Sequence, residues 1–146
     1  MIAVVIPTIR PKSMERFREA WQSLFDKHNV ALIVVHDGEN PIVDFEGTNK
    51  EPLTIAQVMG KYADCLTNFN AGIRNLGFAY VAKFLLDVEY IITLDDDVLP
   101  IGDPIQDHIN ALNLKVPVSW ISTVVDDYTR GFPYGIREEA EVVLSH

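Results

Sequence analysis

Tyr90-Ile91-Ile92-Thr93-Leu94-Asp95-Asp96-Asp97-Val98-Leu99-Pro100 is the stretch on which the reading of this chain turns. Its first five residues form a short apolar, β-branched run of the kind that fills a buried strand. The run ends abruptly in adjacent carboxylates. Side chains alternate between the two faces of a strand, so Asp95 and Asp97 can point together while Asp96 points away. At the carboxyl end of a central strand, where open α/β sheets bind their ligands, such a pair suits a hard divalent cation. Mg²⁺ or Mn²⁺ takes one or two protein carboxylates and completes its shell with water and substrate phosphate. The plainer alternative is a solvated acidic turn.

Upstream, Ile2 to Ile6 reads as a doubly buried strand of the parallel-sheet type. Pro7 and Pro11 lack the N–H a ladder needs, so the segment between them is expected to be loop. A helix follows from about Ser13 to Lys27, with Met14, Phe17, Trp21, Leu24 and Phe25 on one face by their three- and four-residue spacing. Ala31 to Val35 is a second buried strand, closed by His36-Asp37-Gly38. An acid there can accept hydrogen bonds from a base or ribose, although Asp-Gly also marks ordinary turns. The polar stretch from Glu39 to Pro52 holds at most a short edge strand at Ile42-Val43. A short helix over Thr54 to Tyr62 is weakened by Gly60.

A longer helix opens near Asn68 and runs to about Leu86, with Ile73, Gly77, Tyr80 and Phe84 as its packing face. Arg74 near its start opposes the helix dipole and needs another reason to be there, such as clamping a phosphate; a plain surface arginine is the alternative. Asp103-Pro104 reads as a helix start, acid at the N-cap and proline at the first helical position, with Ile105, Ile109 and Leu112 inward. His108 lies among polar neighbours, as an ordinary surface histidine would. Ser119 to Val125 is a further strand, and the apolar run before Ser145-His146 another. The alternation of strands and helices predicts a single α/β domain over 1–146. Its sheet would be mostly parallel and Rossmann-like, with about five or six strands and helices on both faces.

The chain has 146 residues, 48% of them hydrophobic, enough for one domain with a real core. A net charge of -9 argues against a nucleic-acid surface, which needs clustered Lys and Arg. Cys65 is the only cysteine, which excludes an intramolecular disulfide and predicts a buried thiol. No run reaches transmembrane length, and Met1 to Ile6 leads into Pro7 without a basic leader, so the expectation is a soluble protein of cytoplasmic type. No G-x-G-x-x-G fingerprint suggests a nicotinamide or flavin.

Several stretches together resemble one family, the reversibly glycosylated polypeptides or UDP-arabinopyranose mutases. They are VVIPTIR at Val4 to Arg10, LIVVHDG at Leu32 to Gly38, YIITLDDD at Tyr90 to Asp97, RGFPYGIRE at Arg130 to Glu138, and the terminal Ser145-His146. They stand in the family's order, and RGFP with IRE is the most particular of them. The resemblance implies a GT-A-type nucleotide-diphospho-sugar transferase fold and a UDP-sugar as substrate. It places Pro7, Thr8, Arg10, Asp37, Arg74, Asp95 and Asp96 at the nucleotide sugar. Asp95, Asp96 and Asp97 would be a DxD-type motif, with Asp97 the direct ligand of Mn²⁺ or Mg²⁺ and Asp95 beside the ribose or the metal-bound water.

Arg130 matches the arginine that is reversibly glycosylated in the family, and Arg137 a second arginine required for activity. A guanidinium stays protonated in water, so Arg130 needs a base to become a nucleophile, and Asp126, Asp127 or Glu138 could supply it. The other role is electrostatic, with Arg130 and Arg137 clamping the departing diphosphate; Arg137 reads as a clamp and Arg130 fits either role. A later histidine can complete the metal shell in such transferases, whereas His146 as a terminal residue reads as frayed. The loop before Arg130 is shorter than in plant members, and the family's acceptor-side second half does not occur in this sequence. Autoglycosylation, mutase chemistry, ordinary transfer to an external acceptor, and a binding or scaffold subunit of a homo- or hetero-oligomer are the functions this pattern admits.

Overall fold

The computed structural model describes residues 1–113, and the expectations at Ser119 to Val125, Asp126, Asp127, Arg130, Arg137, Glu138 and His146 lie outside them. The chain divides into two compact units, Met1–His108 and Ile109–His146. The first is a five-stranded sheet with β1 (Ile2–Thr8), β2 (Val30–His36), β3 (Ile42–Phe45), β4 (Leu53–Thr54) and β5 (Tyr90–Thr93) in the order β4-β3-β2-β1-β5. Helices α1 (Pro11–His28), α2 (Ile55–Met59) and α3 (Arg74–Phe84) connect them, and α4 (Pro104–Leu112) follows β5.

The α/β class is as expected, but the sheet is evenly mixed and not mostly parallel. β1 pairs in parallel with β2 and β5, whereas β2–β3 and β3–β4 are antiparallel. The reason is connection length. Segments 37–41 and 46–52 are too short for the crossover that parallel neighbours require, so the chain turns back on itself. Ile42-Val43 is accordingly not an edge, because β4 covers it. β5 is also less buried than its composition predicts: β1 is its one partner among the described residues, and Ile91 is 47% exposed.

Alternation sorts the two faces. Ala3, Val5, Ala31, Ile33, Val35 and Val43 pack with Val58 of α2 and Leu76, Tyr80 and Val81 of α3. The even-numbered residues Val4, Ile6 and Val34 turn to the other face, where α1 lays down the buried row Met14, Phe17, Trp21 and Phe25. Leu24 is half-buried at the margin of that row.

β1 runs through Pro7, which sequence alone places in a loop. Carbonyls of odd residues point toward β5 (Leu94 N–H donates to the Val5 carbonyl, 3.2 Å) and those of even residues toward β2 (Asp37 N–H donates to the Thr8 carbonyl, 2.9 Å). The missing N–H of Pro7 therefore faces a side where the β1–β5 pairing has already ended, at Val5–Thr93, and it breaks no ladder bond. Pro11 occupies the first turn of α1, where its absent donor is equally harmless.

α3 begins later and ends earlier than its pattern suggests, after a single 3₁₀ turn at Ala71–Ile73, and it leaves Phe84 40% exposed. Thr54 caps α2 through a reciprocal capping box with Gln57, and a 3₁₀ segment, Gly60–Cys65, follows. Cys65 ends that segment exposed, not buried. Asp103 caps α4 as predicted, accepting from Gln106 N–H (3.1 Å). Lys27, that N–H and His28 together hold its carboxyl well below the usual carboxylate range.

Gly77 is where α3 meets the sheet. A Cβ there would lie 2.4 Å from Cγ1 of Val5 and 3.0 Å from Cγ2 of Val35, both fully buried. Gly77→Ala is therefore expected to destabilise by about 1–2 kcal/mol, the overpacking cost outweighing the gain in helix propensity. Urea unfolding of the variant checks this; a midpoint at or above wild type would show that α3 can ride up without loss.

Candidate functional site at the carboxyl ends of β1, β2 and β5

The chain reverses direction across the sheet at β1. It passes to β2 through α1 on one face and reaches β5 through α3 on the other. Open α/β sheets bind ligands at such a point, at the strands' carboxyl ends. There a cavity of about 490 Å³, within the range of small-molecule sites, is lined by Pro7, Thr8, Arg10, Asp37, Asp95, Asp96 and Asp97, with Ile9, Phe69, Asn70 and Ile73.

The three aspartates are not equivalent. The Asp96 side chain is 3% exposed, against 61% for Asp95 and 63% for Asp97. Asp96 accepts hydrogen bonds from the Thr8 hydroxyl and the Arg10 guanidinium. The Thr8 oxygen in turn accepts from Arg10 N–H (3.0 Å). Asp96 is thus a buried anchor, while its neighbours stay at the surface; the three lie in the turn beyond β5 and not in the strand, so this sorting is set by the turn and by the partners of Asp96. Asp97 accepts from Arg10 Nη2 (3.1 Å). Hydrogen bonding to Asp96 and then Asp97 raises the pKa of the already basic Arg10 guanidinium. Trp21 of α1 holds the far end of this loop, its indole N–H donating to the Val98 carbonyl (2.9 Å).

Arg74 is the first residue of α3, where a cation opposes the dipole. Its guanidinium donates to Asp95 Oδ1 (2.9 Å) and Thr93 Oγ1 (3.2 Å). That pairing supplies the reason its position demands, and it places Arg74 behind Asp95. Asp37 lies on the opposite wall. Its Oδ1 accepts from Gly38 N–H (2.9 Å) and both of its oxygens from Phe69 N–H (3.0 and 2.9 Å).

The donor set fits a hard cation. Asp95 and Asp97 present exposed carboxylates at one cavity, and two are as many as Mg²⁺ or Mn²⁺ takes when water and phosphate complete the shell. Among the described residues, a three-residue cluster stands elsewhere: ligand atoms of His36, Asp44 and Glu46 lie within 4.8 Å of one another. It sits on the α1 side of β2–β3, where Arg18 pairs with Glu46 (2.5 Å). Burial first and Glu46 second raise the Asp44 pKa.

Phe69, Asn70 and Ile9 are cavity residues that sequence reasoning did not single out. Asn-Phe-Asn carries no motif, and only the fold brings it beside Asp37.

A family model for the reversibly glycosylated polypeptides matches residues 1–146. The chain belongs to that family. Its relatives include the probable UDP-arabinopyranose mutase 4 and the UDP-arabinopyranose mutase 3 of Arabidopsis thaliana, each 31% identical over 163 residues. The probable UDP-arabinopyranose mutase 1 of Pisum sativum is equally similar. Each alignment takes in 98% of this chain but 42% of the relative, so this family member spans about two fifths of the length of those proteins. No solved structure matches it. No described helix is long and apolar enough to cross a membrane.

Proposed function

We propose that the cavity binds a UDP-sugar with a divalent cation, and that the chain, whose relatives are named UDP-arabinopyranose mutases, serves the interconversion of UDP-arabinopyranose and UDP-arabinofuranose. On this reading the sheet is the nucleotide half of a GT-A-type transferase. The observation that carries it is the division of labour within Asp95-Asp96-Asp97: one buried anchor between two exposed carboxylates at a cavity of nucleotide size.

Asp96, gripped by Thr8 and Arg10, fixes the backbone so that Asp95 and Asp97 face the diphosphate. A bound Mg²⁺ or Mn²⁺ supplies charge neutralisation on the diphosphate as it leaves. Arg10, half exposed beside these acids, is placed to add its charge to the phosphates. The anomeric C–O bond breaks with its electron pair going to UDP. The sugar then rejoins UDP through a contracted ring, or passes to Arg130, whose proton Asp126, Asp127 or Glu138 takes, or to an external hydroxyl, whose proton is lost to solvent. The net reaction is redox-neutral. Arg137, and Arg130 when it is not the acceptor, neutralise the departing diphosphate.

Calorimetric titration of UDP with and without Mn²⁺, on wild type and Asp97→Ala, tests this. Binding in the micromolar range that requires the metal and drops by tenfold or more, roughly 1.4 kcal/mol, in the variant is expected. UDP binding indifferent to both metal and Asp97, or no binding at all, defeats the reading.

A further inference from the structure

Phe69 is held in an arrangement that packing does not explain. The residue is 64% exposed, yet it lines the cavity, and its backbone lies in the left-handed region at φ 55°. A bulky side chain rarely adopts that conformation unless its surroundings impose it. Here they do. The Asp37 carboxylate takes the Phe69 N–H with both oxygens, and Asn68 Nδ2 donates to the Gly38 carbonyl (2.9 Å). On the other side Asn70 caps the following turn through Gly72 N–H (2.6 Å). The loop is stitched to the exit of β2 at one end and to the start of α3 at the other.

The effect is to hold at the cavity the one aromatic side chain among the described residues that line it. The carboxylates and Arg10 mark the end of that cavity suited to cation and phosphates, leaving the Asp37–Phe69 wall for the rest of a ligand. Bases stack on such aromatic surfaces regardless of their hydrogen-bonding edge.

Resting on the reading of the cavity as a nucleotide site, we infer that Phe69 is the stacking platform for the nucleobase. Asp37 is then a positioning residue, acting on the base through the Phe69 backbone and not by direct contact. Its oxygens already accept the Gly38 and Phe69 N–H groups, Oδ1 from both and Oδ2 from Phe69 alone, which ties the carboxylate to the loop that carries Phe69, and the double variant separates the two roles.

The test titrates UDP and inorganic pyrophosphate, each with Mn²⁺, into the full chain as wild type, Phe69→Ala, Phe69→Tyr, Asp37→Ala and the Phe69→Ala/Asp37→Ala double variant. Phe69→Ala is expected to weaken UDP about tenfold or more while leaving pyrophosphate unchanged, and Phe69→Tyr to restore UDP. Asp37→Ala should weaken UDP alone by a similar factor, and the double variant should be no weaker than either single one, since both changes remove the same contact. Unchanged UDP affinity in Phe69→Ala, or an equal loss for pyrophosphate, overturns the platform while the nucleotide site stands. Losses that multiply in the double variant overturn the positioning role of Asp37. Pyrophosphate binding without any UDP binding by wild type is the failure of the nucleotide reading itself, and the platform falls with it.

Discussion

Trp21→Ala is expected to lower the unfolding free energy by about 3–5 kcal/mol, the range for truncating a large buried aromatic. Trp21 is 2% exposed and stands in the middle of the α1 row, its ring 5.5 Å from Phe17 and 5.6 Å from Phe25, stacked on both. Removing it opens a void between α1 and the sheet and ends both stacking contacts. It also deletes the donor to the Val98 carbonyl, one residue beyond Asp97. Trp21→Phe separates the two contributions: it keeps most of the stack and gives up the hydrogen bond, for about 1 kcal/mol plus a smaller packing loss. Urea unfolding measures both, and UDP titration reads the second consequence, a weaker site in Trp21→Phe because the acidic loop has lost a tether. A cost under about 1 kcal/mol for Trp21→Ala would mean that α1 does not pack as described.

Thr8→Val is expected to cost about 1–3 kcal/mol, although the two side chains have nearly the same shape. The hydroxyl donates to Asp96 Oδ2 and accepts from Arg10 N–H, and both Thr8 (6%) and Asp96 (4%) are buried. A methyl in its place leaves a desolvated carboxylate oxygen short of a donor and the Arg10 amide short of its acceptor. The Asp95–Asp97 backbone loses an anchor at the same time, so metal-dependent UDP affinity should fall with stability. Thr8→Ser, which keeps the hydroxyl, should restore both. Wild-type stability in Thr8→Val would show that Arg10 alone can hold Asp96.

Strands β1 and β2 and helix α1 were readable because their signals are local. Two continuous apolar runs, the first carried on through Pro7 to Thr8 and the second closed before Asp37-Gly38, and the spacing of Met14, Phe17, Trp21 and Phe25, survive in the fold. The start of α4 was equally plain, since Asp103 and Pro104 each serve a helix end by their own chemistry. What sequence hid depends on partners. Whether β3 lies at an edge is decided by β4, which is two residues long and has no pattern to detect. How deeply β5 is buried depends on its neighbours and not on its composition. In the site, the acidic run and the acid after β2 were visible as motifs, and the fold gathers them with Pro7, Thr8 and Arg10 at one cavity. Arg74 announced itself by standing at the wrong end of a helix. The Asp37–Phe69 contact could not be read, because it joins a side chain to a main-chain amide, and an amide belongs to every residue type but proline.

The placement of β5 beside β1 has a consequence for the order in which this molecule is made and unmade. β1 to β4 lie side by side in chain order, so they can assemble progressively from nearby segments. The β1–β5 pairing must instead return the chain to its own beginning: the Thr8–Asp96 bond joins residues 88 positions apart. Such distant pairing carries the largest loop-closure entropy and forms late. A chain with β1 to β4 and α1 in place already holds much of the core, yet its acids are nowhere near Thr8. On the proposed reading, competence to hold a ligand arrives only with β5, and it is the first property lost when that strand lets go.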